Sequence, residues 1–184
     1  MKIIDYYMTP GSPWTYLGHA RLAEMAKRHG AKVNVKPVDF GVIFPQSGGL
    51  PLPKRAPQRQ AYRLVELKRW KEHLGVPIVI QPKFFPVDGA PAAALIAAAP
   101  EDKRMALAGD LLASIWRDDK NIADPALLKE LGAKHGAAPD KAAFEALTQE
   151  ALGRGVFGAP SYVYKDEIFW GQDRLDFLER ALQK

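Results

Sequence analysis

Ser12 stands in the stretch TPGSPWTYLG, between a turn that contains Gly11 and a proline, Pro13. A proline at the first helical position loses nothing, because its missing N–H would be unpaired there anyway, and a serine before it is a favoured N-cap. The pattern places a lone hydroxyl at a helix start. The chain has no cysteine, so it supplies no thiol, no disulfide and no thiolate metal site. No His–Asp partner stands out to activate Ser12, so it is not read as a nucleophile. Two other stretches have the residue types of a site: Gly158-Ala159-Pro160 before a strand, and Gly171-Gln172-Asp173 before the last helix. Taken alone, Ala159-Pro160 is compatible with an ordinary proline at a strand start, and Asp173 with another N-cap. His19, His29, His73 and His135 show no metal-ligand spacing. Trp14 and Tyr16 read as packing residues.

The elements that position these residues follow from periodicity and punctuation. KIIDYYM reads as a strand, and a helix then runs from Pro13 to a stop at Gly30, with Lys27, Arg28 and His29 in its last turn. KVNVKPV alternates as a second strand, and strand–helix–strand order favours a parallel pair. The segment from Phe40 to Pro57 is rich in Gly and Pro and reads as a loop. Helices are expected over residues 57–74, 91–99 (nearly all apolar, hence buried) and 102–116. Two more begin at Asp124-Pro125 and Pro139-Asp140 and end near Leu131 and Leu152. The chain then returns to a strand at 161–164, a tight turn at Lys165-Asp166-Glu167, a strand at 168–170, and a helix with Leu175, Leu178 and Leu182 on one face. The expected fold is α/β: β-α-β, a helical insertion of about 100 residues, then β-β-α. Residues 1–40 and 155–184 form one domain and 41–154 the loop and helical insertion. In such a fold the three candidate stretches meet.

Composition narrows the classes. With 184 residues, 47% hydrophobic and 26% charged, the chain suits one large domain or a small one with an insertion. The net charge of +5 mildly favours anionic ligands. The densest basic group, Lys54 to Lys71, reads as a solvated helix face. No RNA-reader motif or zinc-finger spacing is seen, so no nucleic-acid partner is expected. No apolar run is long enough to span a bilayer, so no membrane partner is expected. The opening MKIIDYYMTPGSPW lacks the pattern of a signal peptide, and a cytoplasmic location is the simplest expectation.

Three motifs, DYYMTPGSPWTYL, LKRWKEHLGVPIV and VFGAPSYVYKDEIFWGQDRLDFLE, give the chain a resemblance to the thioredoxin superfamily. More closely, it resembles the kappa-class glutathione transferases and the 2-hydroxychromene-2-carboxylate isomerases, over essentially its whole length. The resemblance implies a thioredoxin-like domain with an all-helical insertion, glutathione as cofactor, a homodimer, and Ser12 as the catalytic residue touching the glutathione sulfur. A free thiol has a pKa near ~8.5. A hydroxyl donor and the free N–H groups of a helix start need to lower it by about 1 to 2 units, or roughly 1.4 to 2.7 kcal/mol, to give a useful thiolate. The resemblance also implies that Ala159, beside Pro160 at the family's cis-proline position, pairs with the glutathione backbone. It places Trp170, Gly171, Gln172 and Asp173 at the γ-glutamyl end. The family's aromatic carboxylate is held by a lysine early in the loop after the second strand and an Asn-Arg pair at its end. Here Phe44 and Pro53-Lys54 stand at those places, with Arg55 adjacent. Substrate binding is therefore expected from Phe44, Lys54 and Arg55, with Lys54 also available to glutathione. The implied reaction is cis–trans isomerisation of a 2-hydroxychromene-2-carboxylate-like intermediate of aromatic degradation. Two alternatives stay open: a glutathione transferase or peroxidase with another electrophile, and a non-catalytic binding protein of the same fold.

Overall fold

The computed structural model describes residues 1–184. Strand β1 (Lys2–Met8) leads into helix α1 (Pro13–Arg28) and strand β2 (Ala31–Pro37), which pairs in parallel with β1. Strands β3 (Ser161–Tyr164) and β4 (Glu167–Trp170) close the chain with helix α8 (Leu175–Gln183). The sheet order is β2-β1-β3-β4, with β1 and β3 antiparallel and Tyr6 opposite Tyr162. The β-α-β and β-β-α units thus join into one sheet, as the sequence implied. The hairpin turn is tighter than expected: Lys165 and Asp166 alone make it, at φ 50° and 63°, the left-handed pair a two-residue hairpin demands. Glu167 already belongs to β4.

Strand alternation divides the core between the two faces of the sheet. Ile4, Tyr6 and Met8 point to one face and pack in the main cluster with Leu17 and Leu22 of α1 and with Leu175, Leu178 and Leu182 of α8. Tyr7 points to the other face, in a smaller cluster with Val38, Ile43, Ala151 and Val163. This period of two is what a strand covered on both sides must show.

The insertion holds helices α2 (Phe40–Ser47), α3 (Pro57–Leu74), α4 (Ala90–Ala98), α5 (Glu101–Trp116), α6 (Pro125–His135) and α7 (Lys141–Gly153). Helix α4 is buried from Ala92 to Ala97, as its all-apolar composition predicts, and α6 runs four residues beyond Leu131. One expectation is corrected. The segment from Phe40 to Pro57 is not a plain loop, because it contains α2 and a 3-10 turn at Leu52–Lys54. Asp39 caps α2 by accepting from Gly41 N–H at 2.7 Å, and Gly48 ends it at φ 74°. Full burial of Ile43 in the second cluster outweighs the disruption that Pro45 brings to a helix interior. No helix is long and apolar enough to cross a membrane.

Candidate active site

Ser12 is the N-cap of α1, with extended backbone (φ −95°, ψ 123°), and its Oγ accepts from Thr15 N–H at 3.2 Å. That contact uses one lone pair and leaves the O–H proton available to an outside acceptor. The first turn of α1 carries no acidic side chain, so the positive end of the helix dipole is not neutralised. The site favours an anion beside the hydroxyl.

A cavity of about 640 Å³ lies between α3 and the segments flanking the hairpin. Trp14, Ala159, Trp170, Gly171, Gln172 and Asp173 line one side of it. Arg55, Arg59, Tyr62, Arg63 and Trp70 line the other. The structure therefore brings together Ala159, the 170–173 stretch and Arg55. Four candidate residues are not among the lining ones. Ser12 lies two residues before Trp14. Pro160 is buried next to Ala159 in a cis peptide bond. Lys54 is exposed in the 3-10 turn. Phe44 packs at a tilt against Phe40, with ring centroids 5.2 Å apart, and fills the space over Gly49 at the end of α2.

Local chemistry holds the 170–173 stretch in place. Gly171 N–H donates to the Pro160 carbonyl at 2.8 Å, tying the two candidate segments together. Gly171 has φ 109°, and a side chain there would run into Asp173 Oδ1, so this position requires glycine. Asp173 accepts from Arg174 at 2.9 Å. Gln172 is buried, and its Oε1 accepts from Arg21 of α1 at 2.7 Å. A guanidinium only donates, so the amide oxygen must face Arg21 and its NH2 group is left for another acceptor.

Sequence reasoning missed several members of the site. Arg21 carries no local signal, since its partner is 151 residues away. Trp14 lines the cavity as well as packing. Part of the basic stretch read as a solvated face is in fact a cavity wall: Arg59, Tyr62, Arg63, Glu66 and Trp70 share one side of α3, at the three- and four-residue spacing of a helix face. Arg63 is only 9% exposed and lies over the rings of Phe85, at 4.9 Å, and Trp116, at 5.9 Å. Burial, and then the charge of Arg55, pulls its guanidinium down to about 10, still fully protonated at neutral pH.

Known proteins resemble this chain in sequence and in fold. A 2-hydroxychromene-2-carboxylate isomerase of Sphingobium xenophagum is 29% identical over 193 residues, covering 98% of each chain. A solved 2-hydroxychromene-2-carboxylate isomerase superposes with a TM-score of 0.81 at 25% identity, covering 98% of this chain and 94% of its own. The cytosolic disulfide reductase DsbM of Pseudomonas aeruginosa, solved with GSH, shares the fold at a TM-score of 0.64 and 21% identity, covering 99% of this chain and all of its own. The model of the DSBA-like thioredoxin domain matches residues 3–183. This cysteine-free chain, with its four-stranded sheet and helical insertion, is matched by that model over nearly its whole length and belongs to the family of DSBA-like thioredoxin domains.

Proposed function

We propose that the protein is a glutathione-dependent isomerase acting on 2-hydroxychromene-2-carboxylate-like intermediates of aromatic degradation. The observation that carries this reading is the Ser12 hydroxyl, whose proton is free to be donated at an unneutralised helix start in a chain with no thiol of its own. Full-length likeness to isomerases of that name supports it. The residues present suit the tripeptide: a hydroxyl donor for a sulfur anion, the free NH2 of Gln172 for a carboxylate, the Asp173 carboxylate for an ammonium, and Ala159 and Lys54 as further contacts. When bound, glutathione supplies a sulfur that adds reversibly to a conjugated carbon, turning a double bond into one that rotates. Ser12 lowers the thiol pKa by donating to the anion, and the N–H groups of α1 add to that field. Arg21 holds the Gln172 amide in the orientation that presents its NH2 group. The same reading carries a cytoplasmic location and a homodimer, the second of which sedimentation tests.

Titration with reduced glutathione tests the proposal, followed by an ultraviolet assay of chromene isomerisation. Saturable heat and loss of the chromene band are expected. No saturation at millimolar glutathione refutes it. Phe44 and Pro53, standing where the resemblance expects a lysine and an asparagine, favour as second reading a transferase for another electrophile. Conjugation of chlorodinitrobenzene without isomerisation would select that one.

A further inference from the structure

We infer that Arg63, not Lys54 or Arg55, is the residue that binds the carboxylate of an aromatic acid in the cavity, with Arg55 and Arg59 adding charge around it. The inference rests on the proposed isomerase reading for its substrate class, an aromatic carboxylate. Arg63 lines the cavity and is nine-tenths buried. Its Nη2 has no hydrogen-bond partner within the protein. A buried guanidinium N–H without an acceptor is a costly arrangement, and an oxygen anion seated against the guanidinium from the cavity resolves it.

The charge balance points the same way. The two carboxylates in the cavity wall are already engaged: Glu66 accepts from Arg69 at 2.7 Å and Asp173 from Arg174 at 2.9 Å. Arg55, Arg59 and Arg63 form no ion pair, and Arg55 spends its Nε on the Leu50 carbonyl at 2.8 Å. Three guanidinium groups thus face one cavity uncompensated, and Arg63 is the most buried of them. Burial strengthens a charge-assisted bidentate pair by excluding water. Phe85 and Trp116 stack on the guanidinium, while Trp14, Tyr62 and Trp70 add flat apolar walls. A planar acid fits these walls better than the peptide carboxylate of glutathione does.

The test compares trans-2-hydroxycinnamate with its amide, followed by tryptophan fluorescence and calorimetry, and glutathione titrated separately. The wild-type protein is expected to bind the acid at least about 10-fold more tightly than the amide. Arg63→Met keeps most of the side-chain volume and an apolar contact with Phe85 and Trp116 but removes the guanidinium. It is expected to lose that preference while leaving the affinity for the amide and for glutathione within about 2-fold. Arg63→Lys, which keeps the charge without the fork, is expected to fall between them and serves if the methionine variant does not fold. The inference is overturned by wild type that binds neither probe or shows no preference for the acid, by variants that keep the preference, or by an equal loss for acid and amide, which marks a packing role. Loss of glutathione affinity alone would mean that the tripeptide carboxylate is the anion held there, and would also overturn it. Failure of wild type to bind glutathione refutes the isomerase reading but leaves the acid-over-amide result to stand or fall separately.

Discussion

Replacing Ser12 by aspartate separates the two roles this residue holds. Aspartate caps a helix about as well as serine, so the Thr15 N–H keeps its acceptor and stability is expected to stay within about 0.5 kcal/mol of wild type. For a chain of this size that moves Tm by only about 1–2 °C. The chemistry changes sign. A carboxylate has no proton to donate at neutral pH and repels a sulfur anion. A hydrogen bond to a charged group is worth about 1.5–3 kcal/mol, which at about 1.4 kcal/mol per unit is about 1–2 pKa units. A bound glutathione thiol held near ~6.5–7.5 in the wild type therefore returns to about 8.5 or above. The thiolate exists above its pKa, so at pH 7 its fraction falls from roughly half to a few per cent, and raising the pH restores it. Ser12→Ala loses both roles: the thiolate shift and about 0.5–2 kcal/mol of cap. Ser12→Thr keeps both. The assay is the ultraviolet absorbance of bound thiolate against pH, with melting curves for each variant. An unchanged thiolate midpoint in the aspartate variant, fully folded and saturated with glutathione, refutes the assignment.

Other outcomes follow from the same geometry. His19 is buried, with Nδ1 3.3 Å from Tyr6 OH and Nε2 3.0 Å from the Met105 carbonyl. Burial, only partly opposed by that carbonyl, lowers its pKa to about 4. The unfolded chain then binds the proton more tightly, so stability present above about pH 6.5 is lost as the pH falls toward 4, by about 3 kcal/mol. Urea midpoints against pH check this, and His19→Gln is expected to flatten that part of the curve. Gly18→Ala would set a methyl 2.7 Å from Tyr162 OH and 2.9 Å from Gln172 Cβ. A stability loss of about 1–3 kcal/mol is expected from such overpacking, together with weaker glutathione binding, read from melting curves and titrations. Asp173→Ala removes a half-exposed carboxylate and is expected to weaken glutathione binding about 10-fold with Tm nearly unchanged; unaltered affinity by calorimetry would deny its ammonium contact.

Much of the fold was legible where the determinants are local. Ser12 and Pro13 mark a helix start through a cap and a missing N–H, and Gly30, at φ 60°, follows its end. The alternation of Ile4, Tyr6 and Met8 against Tyr7 is that of a strand with two covered faces. Helix α2 was not legible. Its Gly and Pro content argues for a loop, and only the burial of Ile43 against Ala151 and Val163, more than a hundred residues away, reverses that. Phe44 was assigned to substrate by its place in the chain; the structure places its ring against Phe40 and the end of α2, outside the residues that line the cavity.

By itself the sequence determined the order and kind of most elements, the hydroxyl at the start of α1 and the absence of any thiol, because caps, periods and composition act over a few residues. Tertiary structure alone decided that Arg21 grips Gln172, that β1 lies between β2 and β3, and that one face of a basic helix turns inward to bury Arg63 against Phe85 and Trp116. Those contacts join residues far apart in the chain, and a side chain's burial and hydrogen-bond balance are fixed only when every surrounding element has taken its place.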